Sequence, residues 1–112
     1  MPTTIKELMT ETIKSAFQPD KAQGVDTVVQ FKFTGSQASN YYVVIKDQKC
    51  ESTEGLHPEP KMTMTVDSDD YIKISTGELD ATMAFMKGKV KVGGDMGVAL
   101  GMGKYFKYGS SK

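Results

Sequence analysis

Apolar residues recur along the chain with two periods, one near 3.6 residues and one of two residues, which predict helices and strands respectively. Helical spacing is clearest in the stripe formed by Ile5, Leu8, Met9 and Ile13. Strict alternation is clearest over residues 61–66, KMTMTV. The predicted helices span residues 4–18, 67–77, 78–87 and 95–107. The predicted strands span residues 25–34, 41–46, 49–53, 61–66 and 89–92.

Polar and glycine residues at the ends of these segments support the predicted boundaries. Thr4 and Glu7 have the spacing of a capping box at the start of the first helix. Asp67 and Asp95 have side chains that favour the N-cap position of the second and last helices. The glycine pair 93–94 predicts a turn between the last strand and the last helix.

The order of the elements predicts an α+β fold, because the strands run together and the helices lie toward the two ends. We expect a five-stranded, mostly antiparallel sheet with the helices packed on one face. Residues 41–46, YYVVIK, are apolar on both faces, which is typical of a strand that is central or covered on both sides. A length of 112 residues predicts one domain over residues 1–112. The sheet face that the helices must cover carries Val29, Phe31, Phe33, Met62, Met64, Val66, Val90 and Val92.

The charged residues argue against one class of partner and leave two interpretations of the C-terminal part. Net charge is zero and every basic residue is a lysine, so the chain lacks the guanidinium fork that reads bases and grips phosphates, and we expect no nucleic-acid partner. Residues 87–112 contain six lysines and one acid, 6 − 1 = +5. This stretch is either a solvated face or a weak contact with an anionic membrane surface or with the phosphates of an acyl carrier.

Candidate chemistry is sparse. Cys50 and His57 are the only cysteine and histidine, which excludes an internal disulfide and falls short of a zinc site. The acids at the start of the second helix, Asp67, Asp69 and Asp70, are better explained by helix capping than by metal binding or acid–base catalysis. We therefore expect no enzyme activity, no cofactor and no metal. The absence of a signal peptide, a membrane span and a Ser-Lys-Leu terminus predicts a cytoplasmic location.

Methionines and glycines in the second half have two interpretations each. Methionine side chains are flexible and polarisable, so those at helical spacing either fill an ordinary core or contact an apolar ligand. Glycines in the last helix either let it loosen as a lid or allow it to pack closely on the sheet. The aromatic residues among the lysines of 104–108 form either an interfacial anchor or a tail folded onto the domain. The methionines are Met83, Met86, Met96 and Met102, and the glycines are Gly97, Gly101 and Gly103.

Three consecutive motifs, PKMTMTV, DSDDYIKISTGEL and AFMKGKVKVGGDMG, resemble the sterol carrier protein-2 family in order and spacing. The resemblance extends over nearly the whole chain and departs from the family pattern at Gly101 and Gly103, where relatives tend to carry larger helix formers. It implies a five-stranded sheet with an apolar tunnel between sheet and helices. It also implies non-enzymatic binding of a lipid ligand, whether fatty acid, acyl-CoA, sterol or phospholipid, by a monomer or homodimer.

The resemblance also implies which residues border the tunnel. Met96, Ala99, Leu100 and Met102 of the last helix would face it, with Phe85 and Met86 of the preceding helix. Other predicted ligand contacts come from the apolar layer between sheet and helices, and these are Phe17, Phe31, Phe33, Met64, Met83 and Phe106. An alternative from a different class stays open, in which the same fold with a collapsed cavity serves as an accessory or dimerisation domain of a partner enzyme.

Overall fold

A computed structural model describes residues 4–106, and within that range the side chains other than those of 81–82, 99–100 and 102–104. Its single sheet has the strand order β3-β2-β1-β4-β5, with β1 and β4 parallel and the other neighbours antiparallel. The α+β class and the mostly antiparallel sheet are thereby confirmed. The strands are β1 (Thr27–Thr34), β2 (Ser39–Lys46), β3 (Lys49–Glu54), β4 (Met62–Asp67) and β5 (Val90–Gly94).

Helical segments precede and follow the first four strands. Near the N-terminus, two short α-helical stretches flank a π-helical turn without a break, and we call the whole run the N-terminal helical segment. Single 3-10 turns follow at Pro19–Lys21 and Gly35–Gln37. The helices are α1 (Ile5–Glu7), the π turn (Leu8–Thr12), α2 (Ile13–Ala16), α3 (Ser68–Thr76), α4 (Ala81–Met86) and α5 (Met96–Tyr105).

Several predicted boundaries were wrong; β1, for example, begins at Thr27 rather than 25 and β2 at Ser39 rather than 41. The first helix ends at Ala16 rather than 18, because Phe17 is extended and forms a β-bridge with Phe106. The helix predicted over 78–87 begins only after Asp80, whose carboxylate accepts a hydrogen bond from the Met83 N–H (3.0 Å) and so caps the helix there. The glycine pair 93–94 belongs to β5 instead of forming a separate turn.

One face of the sheet forms the core together with the helices. Side chains alternate along each strand, so Val29, Phe31 and Phe33 of β1 share the inward face with the paired positions of β2 and β4. The apolar side chains of the N-terminal helical segment cover this face, and these are Ile5, Leu8, Met9 and Ile13. Tyr71 of α3 packs on two of the β1 rings, with ring centroids 5.8 Å from Phe31 and 5.2 Å from Phe33. Aromatic side chains of the protein itself therefore fill the layer beneath α3.

The opposite face of the sheet is more open, and among its described residues one polar side chain is buried. Gln30 is 1% exposed and points away from the helices, between β2 and β4. Its amide nitrogen donates to the carbonyls of Tyr41 (3.0 Å) and Gly55 (3.0 Å), and its amide oxygen accepts from the His57 N–H (2.7 Å). Gln30 thus fastens the loop after β3 across this face. Strand β2 lies inside the sheet, as its two apolar faces predicted.

Candidate functional site

The helical layer leaves part of the inward sheet face incompletely covered. Met64 of β4 and Val92 of β5 are cross-strand partners on that face, and both are only partly buried. The other inward apolar side chains of these two strands are closed off, since Met62 is 1% exposed, Val66 2% and Val90 7%. Among the inward apolar side chains of β4 and β5, partial exposure is therefore limited to Met64 and Val92. We call this region, Met64 and Val92 with the helices beside it, the β4–β5 crevice.

Helix α4 borders the crevice and presents large apolar side chains to solvent. It packs against β5 with Ala84 buried (0% exposed), while Met83 is 48% exposed, Phe85 45% and Met86 74%. A buried alanine lets the helix lie close to the sheet, because its side chain extends no further than Cβ. The interpretation of Met83 and Met86 as ordinary core residues was wrong. Their side chains are instead available to a ligand or a partner.

The end of α4 has a fixed geometry. The Lys89 N–H donates to the Ala84 carbonyl (2.9 Å) and the Gly88 N–H donates to the Phe85 carbonyl (3.1 Å), with Gly88 at φ +80°. These two bonds form a Schellman motif, which needs a residue with positive φ at the glycine position. The motif turns the chain directly from the apolar end of α4 into β5. Lysines 87, 89 and 91 consequently follow the exposed apolar side chains without an intervening loop.

Helix α5 begins directly after β5 and contacts β4 and β5. Asp95 caps it by accepting hydrogen bonds from the Gly97 N–H (2.8 Å) and the Val98 N–H (3.3 Å), as the sequence predicted. Met96, at the first position of the helix, is 47% exposed, so its interpretation as core was also wrong, while Val98 is partly buried against the core. The two residues place apolar surface beside the start of α5.

Close packing explains one of the glycines in α5. A Cβ atom on the buried Gly101 would lie 2.6 Å from the Tyr105 hydroxyl oxygen and 2.7 Å from the ring carbon that bears it. The Tyr105 ring therefore occupies the space that a side chain at Gly101 would need. Both residues belong to α5, so this contact explains why a glycine fits at 101, and the lid and helix–sheet packing interpretations of the α5 glycines stay predictions.

The far end of α5 is tied to the segment that follows α2. Phe17 and Phe106 form a β-bridge with ring centroids 5.5 Å apart, and the Gln18 N–H donates to the Tyr105 carbonyl (2.7 Å). Phe106 is 5% exposed and Phe17 is partly buried. This contact holds α5 at one end and places both rings at the edge of the apolar layer.

The predicted ligand contacts divide into groups by burial. Phe31, Phe33 and Phe106 are buried, Phe17 and Met64 are partly buried, and Met83, Phe85, Met86 and Met96 are exposed. The placement of Ala99, Leu100 and Met102 stays a prediction, because their side chains lie outside the described set. The aromatic and lysine segment 104–108 lies largely outside it as well. Sequence reasoning missed Tyr71, which is buried in α3 together with two serines, Ser68 and Ser75, beside the partly buried Ile72 and Ile74.

The remaining titratable candidates do not form a catalytic pair. Cys50 lies opposite Ile45 on the inward face of the sheet, whereas His57 contacts Gln30 and Tyr42 on the open face. Burial raises the pKa of the Cys50 thiol to about 11, against a smaller lowering by Lys14, so the thiol is protonated near neutral pH. Within residues 4–106, no three His, Cys, Asp or Glu side chains come together to hold a metal ion. Among the described helices, none has the length and apolar content to cross a membrane.

The fold and the crevice define a small α+β domain whose helical layer incompletely covers an apolar sheet face. The SCP-2 sterol transfer family matches residues 5–107, and the chain belongs to this family. The solution structure of palmitated SCP2L2 from Aedes aegypti is similar over 98% of this chain and 100% of its own, with a TM-score of 0.80 and 25% identity. The crystal structure of Sterol Carrier Protein 2 Like 2 from the same organism covers 88% and 94%, with a TM-score of 0.73 and 27% identity.

A second group of relatives is longer. Hydroxysteroid dehydrogenase-like protein 2 from Danio rerio is 32% identical over 105 residues, which cover 93% of this chain and 25% of that protein. The protein of the same name from Xenopus tropicalis is 35% identical over 96 residues, which cover 84% and 23%. The chain thus spans about a quarter of the length of these relatives. Family membership is accordingly found both in chains of similar size and in parts of larger proteins.

Proposed function

We propose that this chain is a single, non-enzymatic lipid-binding domain that takes up the apolar tail of a fatty acid, acyl-CoA, sterol or phospholipid. The observation that carries the proposal is the partial exposure of Met64 and Val92 beside the buried Phe31 on the inward face of the sheet. Removing apolar surface from water stabilises a complex by about 25 cal/mol per Å², so this crevice favours a hydrocarbon over a polar ligand. Family membership and the likeness to a palmitated relative support the same class of ligand.

In this proposal the ligand tail lies along β4 and β5, between α4 and α5. Met64 and Val92 form the floor, with Phe31 and Phe33 behind them and the Phe17–Phe106 contact at the far edge. Met83, Phe85, Met86 and Met96 border the mouth, where flexible thioethers adapt to tails of different shape. Ala99, Leu100 and Met102 complete the α5 side. The polar head of the ligand stays at the mouth, in contact with water, because the crevice offers it no buried charged partner among the residues described.

Binding of a fluorescent fatty acid tests the proposal. Met64→Asp places a carboxylate on the floor, where a hydrocarbon tail would have to desolvate it, and we expect binding at least tenfold weaker, on the order of the cost of one unpaired polar contact. Met86→Asp changes the mouth and should weaken binding less. Leu56→Asp is the matched control, since Leu56 is 63% exposed in the loop on the open side of the sheet. Unchanged binding by Met64→Asp, with circular dichroism like that of wild type, would contradict the placement.

One observation favours a second function. This chain spans only about a quarter of the length of its longer relatives. In that case the domain supports a partner enzyme or dimerises, and the crevice is closed by another protein surface. Native mass spectrometry of freshly purified protein separates the two functions. A co-purified mass of a few hundred daltons on a monomer supports lipid carriage, whereas a bare dimer supports the accessory function.

A further inference from the structure

Exposed apolar side chains are concentrated in one short helix. Among the described residues, five large apolar side chains are exposed, and three of them, Met83, Phe85 and Met86, lie in α4. Single exposed apolar residues are normal on a protein surface, but a cluster marks a contact site. The fourth, Met96, lies at the start of the next helix, and the fifth, Leu56, is in the loop on the open side of the sheet.

Two exposed lysines, Lys87 and Lys89, follow this cluster directly along the chain. The nearest acids in sequence are Asp80, the N-cap at the other end of α4, and Asp95, which follows β5. The Schellman motif at Gly88 keeps Lys87 and Lys89 next to the apolar end of α4. Lys91 alternates with the inward Val90 and Val92, so it belongs to the opposite face of the sheet. We call the surface formed by Met83, Phe85, Met86, Lys87 and Lys89 the α4–β5 corner.

From this combination we propose that the α4–β5 corner docks the protein onto the surface of an anionic lipid bilayer. Apolar side chains enter the boundary between headgroups and acyl chains, and lysines beside them contact anionic headgroups, which is the arrangement of interfacial membrane anchors. The inference rests on the proposed function in one respect, because docking there would bring the mouth of the crevice to the bilayer. The surface itself is defined by exposure and charge alone.

The N-terminal helical segment offers a contrast on the same molecule. Its outward positions are polar and of mixed charge, including Lys6, Glu7, Glu11 and Lys14, while its apolar residues Ile5, Leu8, Met9 and Ile13 are at most 1% exposed. Docking through that segment would bring acids to an anionic surface and would insert no apolar side chain. The geometry therefore assigns docking to α4 and β5.

Flotation of the full chain with phosphatidylcholine vesicles, with and without phosphatidylserine, tests the proposal. We expect binding only when phosphatidylserine is present, and weaker binding at high salt. Lys87→Gln with Lys89→Gln should lower the partition coefficient roughly 30-fold, because each lysine near an anionic surface contributes roughly fivefold. Met86→Gln should lower it roughly tenfold through lost apolar insertion.

Two matched controls separate the corner from general effects of charge and apolarity. Lys6→Gln with Lys14→Gln removes the same charge from the N-terminal helical segment, and Leu56→Gln removes an apolar side chain of similar exposure. Both should bind vesicles nearly as wild type does. Losses in the controls equal to those in the corner variants would overturn the proposal, as would wild-type protein that floats with neither kind of vesicle.

Two further measurements distinguish bilayer docking from dimerisation and from lipid carriage. A concentration-dependent dimer that Met86→Gln abolishes, without any vesicle binding, would show that a second copy covers the corner and would also overturn docking. Fluorescent fatty-acid binding in vesicle-free buffer, measured on the Lys87→Gln, Lys89→Gln variant, tests carriage separately. Retained ligand binding with lost vesicle binding supports both proposals. Vesicle binding by a wild-type protein that takes up no fatty acid would refute lipid carriage and leave docking in place.

Discussion

Replacing Gln30 with leucine should destabilise the fold far more than its position in a strand suggests. The side chain is 1% exposed and links β1 to the loop after β3 through both ends of its amide. Leucine has nearly the same volume but offers neither donor nor acceptor. Gln30→Leu would therefore leave the carbonyls of Tyr41 and Gly55 and the N–H of His57 without the partners they have now.

The magnitude follows from these contacts. The three shorter hydrogen bonds, of 3.0, 3.0 and 2.7 Å, each contribute about 1 kcal/mol net, and they are lost together with a longer one to the Phe31 carbonyl (3.3 Å). The better burial of leucine offsets part of this loss, and the exposure of the loop to water offsets another part. We expect the free energy of unfolding to fall by about 2–3 kcal/mol and the melting temperature to fall by roughly 10–20 °C.

Urea denaturation followed by circular dichroism measures the change, and Gln48→Leu is the control. Gln48 is exposed, and its amide makes one hydrogen bond, to the Pro19 carbonyl (3.1 Å), so its loss should cost under about 0.5 kcal/mol. Hydrogen exchange at the His57 N–H gives a local signature, because that proton loses its acceptor only in Gln30→Leu. Equal stability of the two variants, or unchanged exchange at His57, would refute the role assigned to Gln30.

Three other changes have defined outcomes. Gly94→Ala should lower the urea midpoint, because Gly94 has φ +95° and a Cβ there would lie 2.5 Å from the Lys61 carbonyl oxygen. A midpoint like that of wild type would contradict this and show that the paired ends of β4 and β5 can separate. Phe106→Ala should cost about 3 kcal/mol by opening the contact with Phe17, measured by thermal denaturation, and a loss below that of an exposed-site variant would contradict it. Stability should fall between pH 9 and 11, since the raised pKa of Cys50 means that the unfolded chain loses its thiol proton first. Cys50→Ala should lack this part of the pH dependence in urea titrations, and an unchanged slope would contradict it.

The strands were predictable because a period of two is a strong local signal when one face is buried. Met64 was assigned to the inward face from alternation alone, and the structure pairs it there with Val92. Boundaries that depend on distant contacts were not predictable. Phe17 continues the helical stripe in sequence, but in the structure it is extended and forms a bridge with Phe106, at the other end of the chain.

The orientation of α4 was equally out of reach of the sequence. Periodicity shows which side chains share a helix face, but it does not show whether that face meets the sheet or the solvent. Beneath α3 the inward face is occupied by Tyr71, whose ring meets those of Phe31 and Phe33 at an angle. Helix α4 contributes only the small Ala84 to the core, and Met83 and Met86 remain outside.

The lysines of the α4–β5 corner help to decide between a protein partner and a bilayer as its occupant. The buried centre of a protein–protein interface is depleted in lysine, because each ammonium group would have to be desolvated or paired. At a bilayer surface, by contrast, a lysine keeps its ammonium group among the anionic headgroups while its methylenes lie along apolar surface. Lys87 directly follows Met86, the most exposed of the described α4 side chains at 74%. A protein interface with Lys87 at its buried centre would have to desolvate or pair the ammonium group, whereas a bilayer surface leaves it among anionic headgroups. Reversing its charge with Lys87→Glu should therefore weaken vesicle binding more than Lys87→Gln does, and equal or opposite effects would contradict the contact of Lys87 with anionic headgroups.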